Sequence, residues 1–226
     1  MRFMEHISAY DIVSYDDFKS IKYDGQYPAE FHFPIDLNAI WEMDAIQFPE
    51  IENEINLLQN WDRKSNIENI GAGFFSVLVY KINEHYHGEG TVTESVASRL
   101  IAETKTHLMQ HFGKTNVPLG ETQKLVRGDK EIALPGLPDV LAAMYTNPYK
   151  EGKRKGLAGE SYIQLVRYKK GELPKIETII NYGASNHKES PHYADQMELF
   201  TQQKTKKMTL DKATVLKNAA KIYSPK

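Results

Sequence analysis

Apolar positions in the first half of the chain recur at the spacing of one face of an α-helix. Four of them follow Pro49 at intervals of four, three and three residues and form one stripe: Ile51, Ile55, Leu58 and Trp61. Further upstream, Ser14 and Asp17 have the spacing of a capping box, which predicts a helix start with Phe18 and Ile21 on its inner face. The pattern therefore predicts a mainly helical block at the start of the chain.

Two longer elements follow in the same block. Residues 71–80 are almost all apolar or small, which predicts a buried helix packed through its glycines, with a buried strand as the alternative. Thr91 or Thr93 is predicted to cap a long amphipathic helix that ends at Gly113. Prolines and glycines then recur through residues 114–138, which predicts loop structure, and residues 139–145 are expected to form a short helix.

The last third changes from helical to strand periodicity. Residues 161–168 and 176–182 are predicted to pair as an antiparallel hairpin around Gly171, preceded by an exposed basic loop over residues 150–156. A two-stranded hairpin is marginally stable by itself. The two strands therefore need a larger sheet, supplied by this chain or by another segment.

A polar segment follows the second strand of this hairpin. Ser190 has the character of a helix N-cap and Pro191 that of the first helical residue, so a helix is predicted from there. Four polar or aromatic side chains crowd its first turns: His192, Tyr193, Asp195 and Gln196. A loop over residues 204–208 and a final helix, capped by Thr209 and carrying Leu210, Leu216 and Tyr223 inward, complete the expected elements.

Composition excludes several classes of protein. The 28 basic and 30 acidic residues give a net charge of −2, which offers no reason to expect nucleic acid or an anionic membrane as a partner. Cysteine is absent, so the chain has neither a disulfide framework nor a thiol nucleophile. No apolar run reaches the roughly 18 residues of a membrane span.

Several polar residues of the chain have either a chemical or a purely structural interpretation. A Ser185–His192–Asp195 triad has the right residue types, but the glycine that a hydrolase nucleophile elbow needs after the serine is missing, so a polar corner that caps a helix is the stronger interpretation. The histidine pairs lack a third ligand at regular spacing, and no metal site is predicted. Glu160 precedes a buried strand, where it either orients a histidine or meets solvent.

The polar corner carries a specific motif. A strand ending in Tyr182-Gly183-Ala184-Ser185 is followed by Ser190-Pro191-His192-Tyr193-Ala194-Asp195-Gln196 and an apolar helix. This arrangement resembles the C-terminal part of the β chain of the penicillin acylase family, N-terminal nucleophile hydrolases that include acyl-homoserine-lactone acylases. Segments 125–129, 134–139 and 159–163 follow in the family's order, and the resemblance is strongest after about residue 120. The Asn186-His187 pair departs from the Gly-Asn of many members.

The resemblance implies an α+β chain that forms part of an αββα sandwich, with a helical block at residues 1–115 and a strand hairpin with helices at 116–226, both belonging to one larger domain. It also implies hydrolysis of an acyl amide to an acid and an amine by a nucleophile at the start of the β chain. No residue here matches that nucleophile, its oxyanion-hole asparagine or the calcium ligands of some members, so no cofactor is expected in this chain.

We therefore expect a C-terminal fragment that is inactive by itself and whose partner is the upstream part of an acylase, namely the α chain and the N-terminal part of the β chain. The motif residues Tyr182 to Gln196 are expected to be structural, with Glu160 as a candidate supporting acid. A periplasmic or secreted location is implied by the resemblance alone. The alternatives are a non-catalytic binding module on the same scaffold and an independent hydrolase that uses His192 and Asp195.

Overall fold

The computed structural model describes residues 2–28, 30–31, 33–219 and 221–222. Their backbone forms two compact units, the first ending at Glu160 and the second beginning at Ser161. Helices and strands occur in both, so the chain is of the α+β class, as predicted. The division at residue 115 concerns the organisation of a larger domain and stays a prediction.

The first unit is helical up to about residue 122 and then forms a sheet. Its helices are α1 (Arg2–Ile7), α2 (Tyr15–Lys22), α3 (Asn38–Glu42), α4 (Glu52–Gln59), α5 (Ile70–Tyr86), α6 (Glu94–Phe112) and α7 (Leu119–Thr122). Its strands are β1 (Ile35–Asp36), β2 (Gly90–Thr91), β3 (Gln123–Arg127), β4 (Lys130–Ala133), β5 (Met144–Pro148) and β6 (Arg154–Gly159). Strands β1 and β2 pair in parallel, and the other four form a mixed sheet in the order β4-β3-β6-β5.

The core of this unit is built around α5. Phe74, Phe75 and Leu78 are fully buried there, and the ring centroid of Phe75 lies 5.0 Å from that of Trp61. At Gly73 a Cβ atom would stand 1.9 Å from the carbonyl oxygen of Val117, so only glycine allows this close approach. The helix packed through its glycines is therefore confirmed, and the alternative strand is wrong.

Other predicted helix features are confirmed at their ends. Ser14 and Asp17 form both bonds of the capping box of α2. Thr93 caps α6, which ends at Gly113 in the left-handed conformation. Ile21 is buried, but Phe18 is 45% exposed, so its predicted inward position is wrong.

The region from residue 114 to residue 160 departs most from the sequence predictions. The expected loop contains α7 and the β3–β4 hairpin, and the helix expected at 139–145 is a turn that leads into β5. The expected basic loop contains the start of β6, where Arg154 is only 8% exposed. Strands β3 and β4 are only five and four residues long, and β5 and β6 contain proline or glycine, so no regular alternation marked them in the sequence.

The second unit contains an antiparallel sheet in the order β7-β8-β9, formed by β7 (Tyr162–Arg167), β8 (Lys175–Ile180) and β9 (Lys206–Met208), together with α8 (Met197–Thr201) and α9 (Lys212–Asn218). The β7–β8 hairpin is confirmed. The loop expected at 204–208 instead contains the third strand, β9.

The two helices of the second unit begin later than expected. Gln196 precedes the first residue of α8, whereas Ser190 and Pro191 lie in turns. Helix α9 is capped by Asp211 rather than Thr209, and Leu210 and Leu216 are exposed rather than inward. Tyr223, which was expected on the same face, lies outside the described residues.

Candidate functional site

Gln196 connects the end of β8 to the start of α8. Its backbone N–H donates to the carbonyl of Tyr182 at 2.8 Å, and its side-chain oxygen accepts from the N–H of Ile180 at 3.3 Å. The residue is 4% exposed. A buried amide with both of these bonds fixes the strand and the helix to each other, because breaking either bond would leave a buried polar group unpaired.

Gly183 is required by packing at the same corner. A Cβ atom there would stand 2.2 Å from the carbonyl oxygen of His192 and 2.7 Å from a carboxylate oxygen of Asp195. Its φ is not positive, so an unusual backbone conformation is not what requires glycine here. The physical reason for glycine is the close approach of two backbone segments.

The three members of the hypothetical triad are close together, but their contacts are those of a turn. His192 Nδ1 and Asp195 Oδ2 are 2.9 Å apart, with the histidine side chain 65% exposed. The backbone N–H of Ser185 donates to the carbonyl of His192 at 3.1 Å, and the Ser185 hydroxyl oxygen accepts from the N–H of His187. The bond that joins serine to histidine is therefore between main-chain atoms and does not prepare Ser185 as a nucleophile.

The remaining motif residues complete the turn. The Ser190 hydroxyl oxygen accepts from the N–H of His192 at 3.2 Å, and its carbonyl accepts from the N–H of Tyr193 at 3.0 Å. Pro191 lies between them on the surface. These bonds are the local side-chain and backbone turns that serine favours, and they orient the motif without presenting a reactive group.

Glu160, the candidate supporting acid, forms an ion pair with Lys22 of α2 in the first unit. The two side chains are 18% and 26% exposed, respectively. Burial lowers the pKa of Lys22. The backbone N–H of Glu160 also donates to the carbonyl of Ala143 at 3.2 Å. Glu160 thus ties α2 to the end of β6, and its role as a supporting acid stays a prediction.

An apolar cavity that the sequence did not indicate lies in the first unit. It has a volume of about 260 Å³, and most of its wall is aliphatic or aromatic. Its apolar lining includes Phe33, Ile35, Leu37, Val79, Ile82 and Pro138. Four side chains add polar groups: Tyr80, Asn83, Asp139 and Tyr145. Few polar groups on an apolar wall are typical of small-molecule sites.

The polar groups of this cavity are held by hydrogen bonds. The Tyr145 hydroxyl donates to Asp139 Oδ1 at 2.8 Å, and the Tyr27 hydroxyl fixes the adjacent carbonyl of Pro138 at 2.6 Å. Burial, followed by this hydrogen bond and the charge of Asp139, raises the pKa of Tyr145 to about 12. Asp139 has a φ of 65°, a conformation that aspartate tolerates better than most residues.

The cavity was missed because residues 139–145 were expected to be helical. A signal was nevertheless present, since the Pro135-Gly136 and Pro138-Asp139 pairs are typical of turns and argued against a helix start. The spacing of Tyr80 and Tyr145 in the sequence does not indicate whether they line a cavity or belong to an ordinary core. The approach of Tyr80 and Tyr145 depends on β5 pairing with β6 beside α5, which the sequence did not reveal.

Neither a cluster of metal-ligating side chains nor a membrane-spanning helix occurs in the described part of the chain. Within it, no group of three or more histidine, aspartate or glutamate side chains is placed to hold a metal ion. No helix there is long and apolar enough to cross a membrane.

Comparisons with known proteins gave consistent similarities. The family model of penicillin amidase matches residues 2–217. The acyl-homoserine lactone acylase PvdQ of Pseudomonas putida is 26% identical over 175 residues, which cover 67% of this chain and 22% of that protein. PvdQ of Pseudomonas syringae is 33% identical over 85 residues, which cover 36% of this chain and 11% of that protein.

A solved structure, thermostable penicillin G acylase from Alcaligenes faecalis, aligns with 100% of this chain and 53% of its own, with a TM-score of 0.43 and 12% identity. The chain spans about a fifth of the length of PvdQ from Pseudomonas putida.

Proposed function

The chain belongs to the penicillin amidase family, as its motif predicted, and we propose that it forms the C-terminal part of the β chain of an amide hydrolase. The reaction of the whole enzyme would convert an acyl amide to a carboxylic acid and an amine. N-acyl-homoserine lactones are one candidate substrate class, because two matching relatives are lactone acylases. The observation that carries the proposal is the family match over residues 2–217.

We further propose that these 226 residues are inactive without an upstream partner that supplies the nucleophile. The geometry of the corner supports this, because Ser185 and His192 meet through main-chain atoms. The small sheet of the second unit supports it as well. Among the described strands, β7 and β9 each pair only with β8, so each leaves one edge open for strands of an αββα sandwich.

The test is an amidase assay on the chain alone and on the chain co-expressed with the upstream part of an acylase from the same family. Release of nitroaniline from an acyl nitroanilide, and of homoserine lactone from its N-acyl derivatives, would be measured for both preparations. We expect activity only in the co-expressed sample. Activity of the chain alone that is lost in Ser185→Ala or His192→Ala, and kept in the exposed control Ser95→Ala, would establish an independent hydrolase instead.

A non-catalytic binding module is the second candidate, and the apolar cavity is the observation that favours it. In that case a small apolar molecule with a donor group would bind with its donor at Asp139. Titration of the chain alone with hexylamine and with hexanol, followed by amide chemical shifts, distinguishes the two roles. Saturable binding that Asp139→Asn weakens, in a chain that gains no activity on co-expression, would favour the module.

A further inference from the structure

Arg154 is a buried cation without an ion-pair partner among the described residues. It is 8% exposed at the first position of β6, and no carboxylate of the described residues forms an ion pair with it. Its Nε donates to Thr146 Oγ1 at 2.9 Å and its Nη2 to the Thr146 carbonyl at 2.8 Å. Its guanidinium carbon lies 3.6 Å from the centroid of the Tyr80 ring. All of these contacts are with neutral groups.

Such an arrangement is unusual for a buried charge. Removing a cation from water is costly unless an opposite charge or a full set of hydrogen bonds replaces the lost hydration. Burial lowers the pKa of Arg154, and the opposing effects come from Tyr80 and from Glu84. Thr146 accepts from two of the five guanidinium N–H groups, and the side chain of Tyr80 is a further hydrogen-bond partner, so the remaining N–H groups are available to an acceptor.

Arg154 also lines a second cavity of the first unit. It has a volume of about 180 Å³, and its wall includes Lys81, His107, Lys153 and Arg154. Each of the two lysines also has an acidic neighbour outside the cavity lining: Lys153 is 2.7 Å from Glu151, and Lys81 is 3.8 Å from Glu103. His107 is close to the Gly152 carbonyl, and burial, followed by the charges nearby, lowers its pKa. Glu84 contributes the one carboxylate of the lining.

We propose that this cavity is a binding site for a small oxyanion, which Arg154 holds by two parallel hydrogen bonds. The planar guanidinium matches a carboxylate or a phosphate in this way, and the Tyr80 ring keeps its plane fixed. Lys153 and Lys81 add positive charge at the rim. A volume of about 180 Å³ admits an anion of the size of acetate or phosphate with several waters. The site is separate from the corner around His192 and does not depend on the proposed hydrolase activity.

The test is calorimetric titration of the full chain at pH 7 with sodium acetate and, separately, with inorganic phosphate, at constant ionic strength set by chloride. Amide chemical shifts of Thr146, Gly152 and Lys153 locate the bound ion. We expect saturable binding with a dissociation constant on the order of millimolar, corresponding to about −4 kcal/mol. The arm that binds more tightly identifies the kind of anion, and binding in either arm supports the site.

Substitutions distinguish anion binding at one defined site from a general attraction of anions to positive surface charge. Arg154→Gln should weaken binding at least about tenfold, because a charge-assisted pair of bonds is lost. Arg99→Gln, which removes an exposed arginine elsewhere on α6, should leave it unchanged. Glu84→Gln should tighten binding about twofold or more, because it removes a negative charge that repels the bound anion.

Three results would overturn the proposal: absence of saturable binding in both arms, equal weakening by Arg154→Gln and Arg99→Gln, or shifts that leave Thr146 and Gly152 unaffected. If Arg154→Gln does not fold, the exposed Glu84→Gln variant and the rim variant Lys153→Gln decide. Tighter binding in the first and weaker binding in the second support the site, and no change in either contradicts it.

Discussion

The side-chain oxygen of Gln196 accepts a hydrogen bond from the backbone N–H of Ile180, while the Gln196 N–H donates to the carbonyl of Tyr182. One buried residue therefore holds the last residue of β8 and the start of α8 at once. This relationship explains why the corner motif is polar without forming a catalytic set. Its hydrogen-bonding groups satisfy the backbone where a strand leaves the sheet and a helix begins.

Replacing Gln196 tests this connection between β8 and α8. We expect Gln196→Ala to lower the free energy of unfolding of the second unit by about 1–3 kcal/mol, because the Ile180 N–H loses its acceptor in a buried position. Urea denaturation gives the energy, and hydrogen exchange of the Ile180 amide gives the location. The exposed control Gln202→Ala should change stability by less than about 0.5 kcal/mol. Equal protection of the Ile180 amide from hydrogen exchange in both variants would show that Gln196 does not hold β8 to α8.

Replacing Gly183 tests the close approach of the two backbone segments. The Cβ of Gly183→Ala would stand 2.2 Å from the His192 carbonyl oxygen, so one segment must move. We expect a loss of about 1–3 kcal/mol in the free energy of unfolding, as for other overpacked sites. Hydrogen exchange over residues 175–201 should rise with it. Ala184→Ser, a change at the exposed neighbouring position, should have little effect, and an equally stable Gly183→Ala would show that the approach is not tight.

Raising the pH tests the polar rim of the apolar cavity. The pKa of Tyr145 is raised to about 12 by burial and by its hydrogen bond to Asp139. Since the folded state holds this proton more tightly than the unfolded state, the contribution to stability is complete below the ordinary tyrosine pKa of about 10 and is lost as the pH rises toward 12.

Absorbance at 295 nm, taken as the difference between the wild type and Tyr145→Phe, reports this titration. Asp139→Asn should lower this midpoint but leave it above about 10, because the charge of Asp139 is removed while burial, the largest cause of the raised pKa, remains. Asp129→Asn, in the exposed β3–β4 turn, should leave the midpoint unchanged. A wild-type midpoint near 10 would show that Tyr145 is not held by Asp139.

The sequence alone was sufficient to predict those helices whose apolar face and capping residues lie close together in the chain. The stripe from Ile51 to Trp61, the Ser14–Asp17 capping box and the Thr93–Gly113 limits all depend on residues within a few turns of one another, and all are confirmed. The β7–β8 hairpin is likewise local, since its strands are joined by a short turn. The family was predictable for a related reason, because the corner motif is one contiguous segment.

The sequence by itself therefore determined the α+β class, the main helices, the hairpin and the family. Only the tertiary structure decided that β3 pairs in parallel with β6, that Arg154 is buried against Tyr80, and that Tyr80, Asp139 and Tyr145 share one cavity. It also decided that Ser190 and Pro191 form turns while α8 begins after Gln196. The physical reason is that each of these outcomes depends on hydrogen bonds and packing between residues far apart in the chain, or on how closely two backbone segments approach. Neither kind of contact changes the local periodicity of apolar residues, so the sequence pattern does not reveal it.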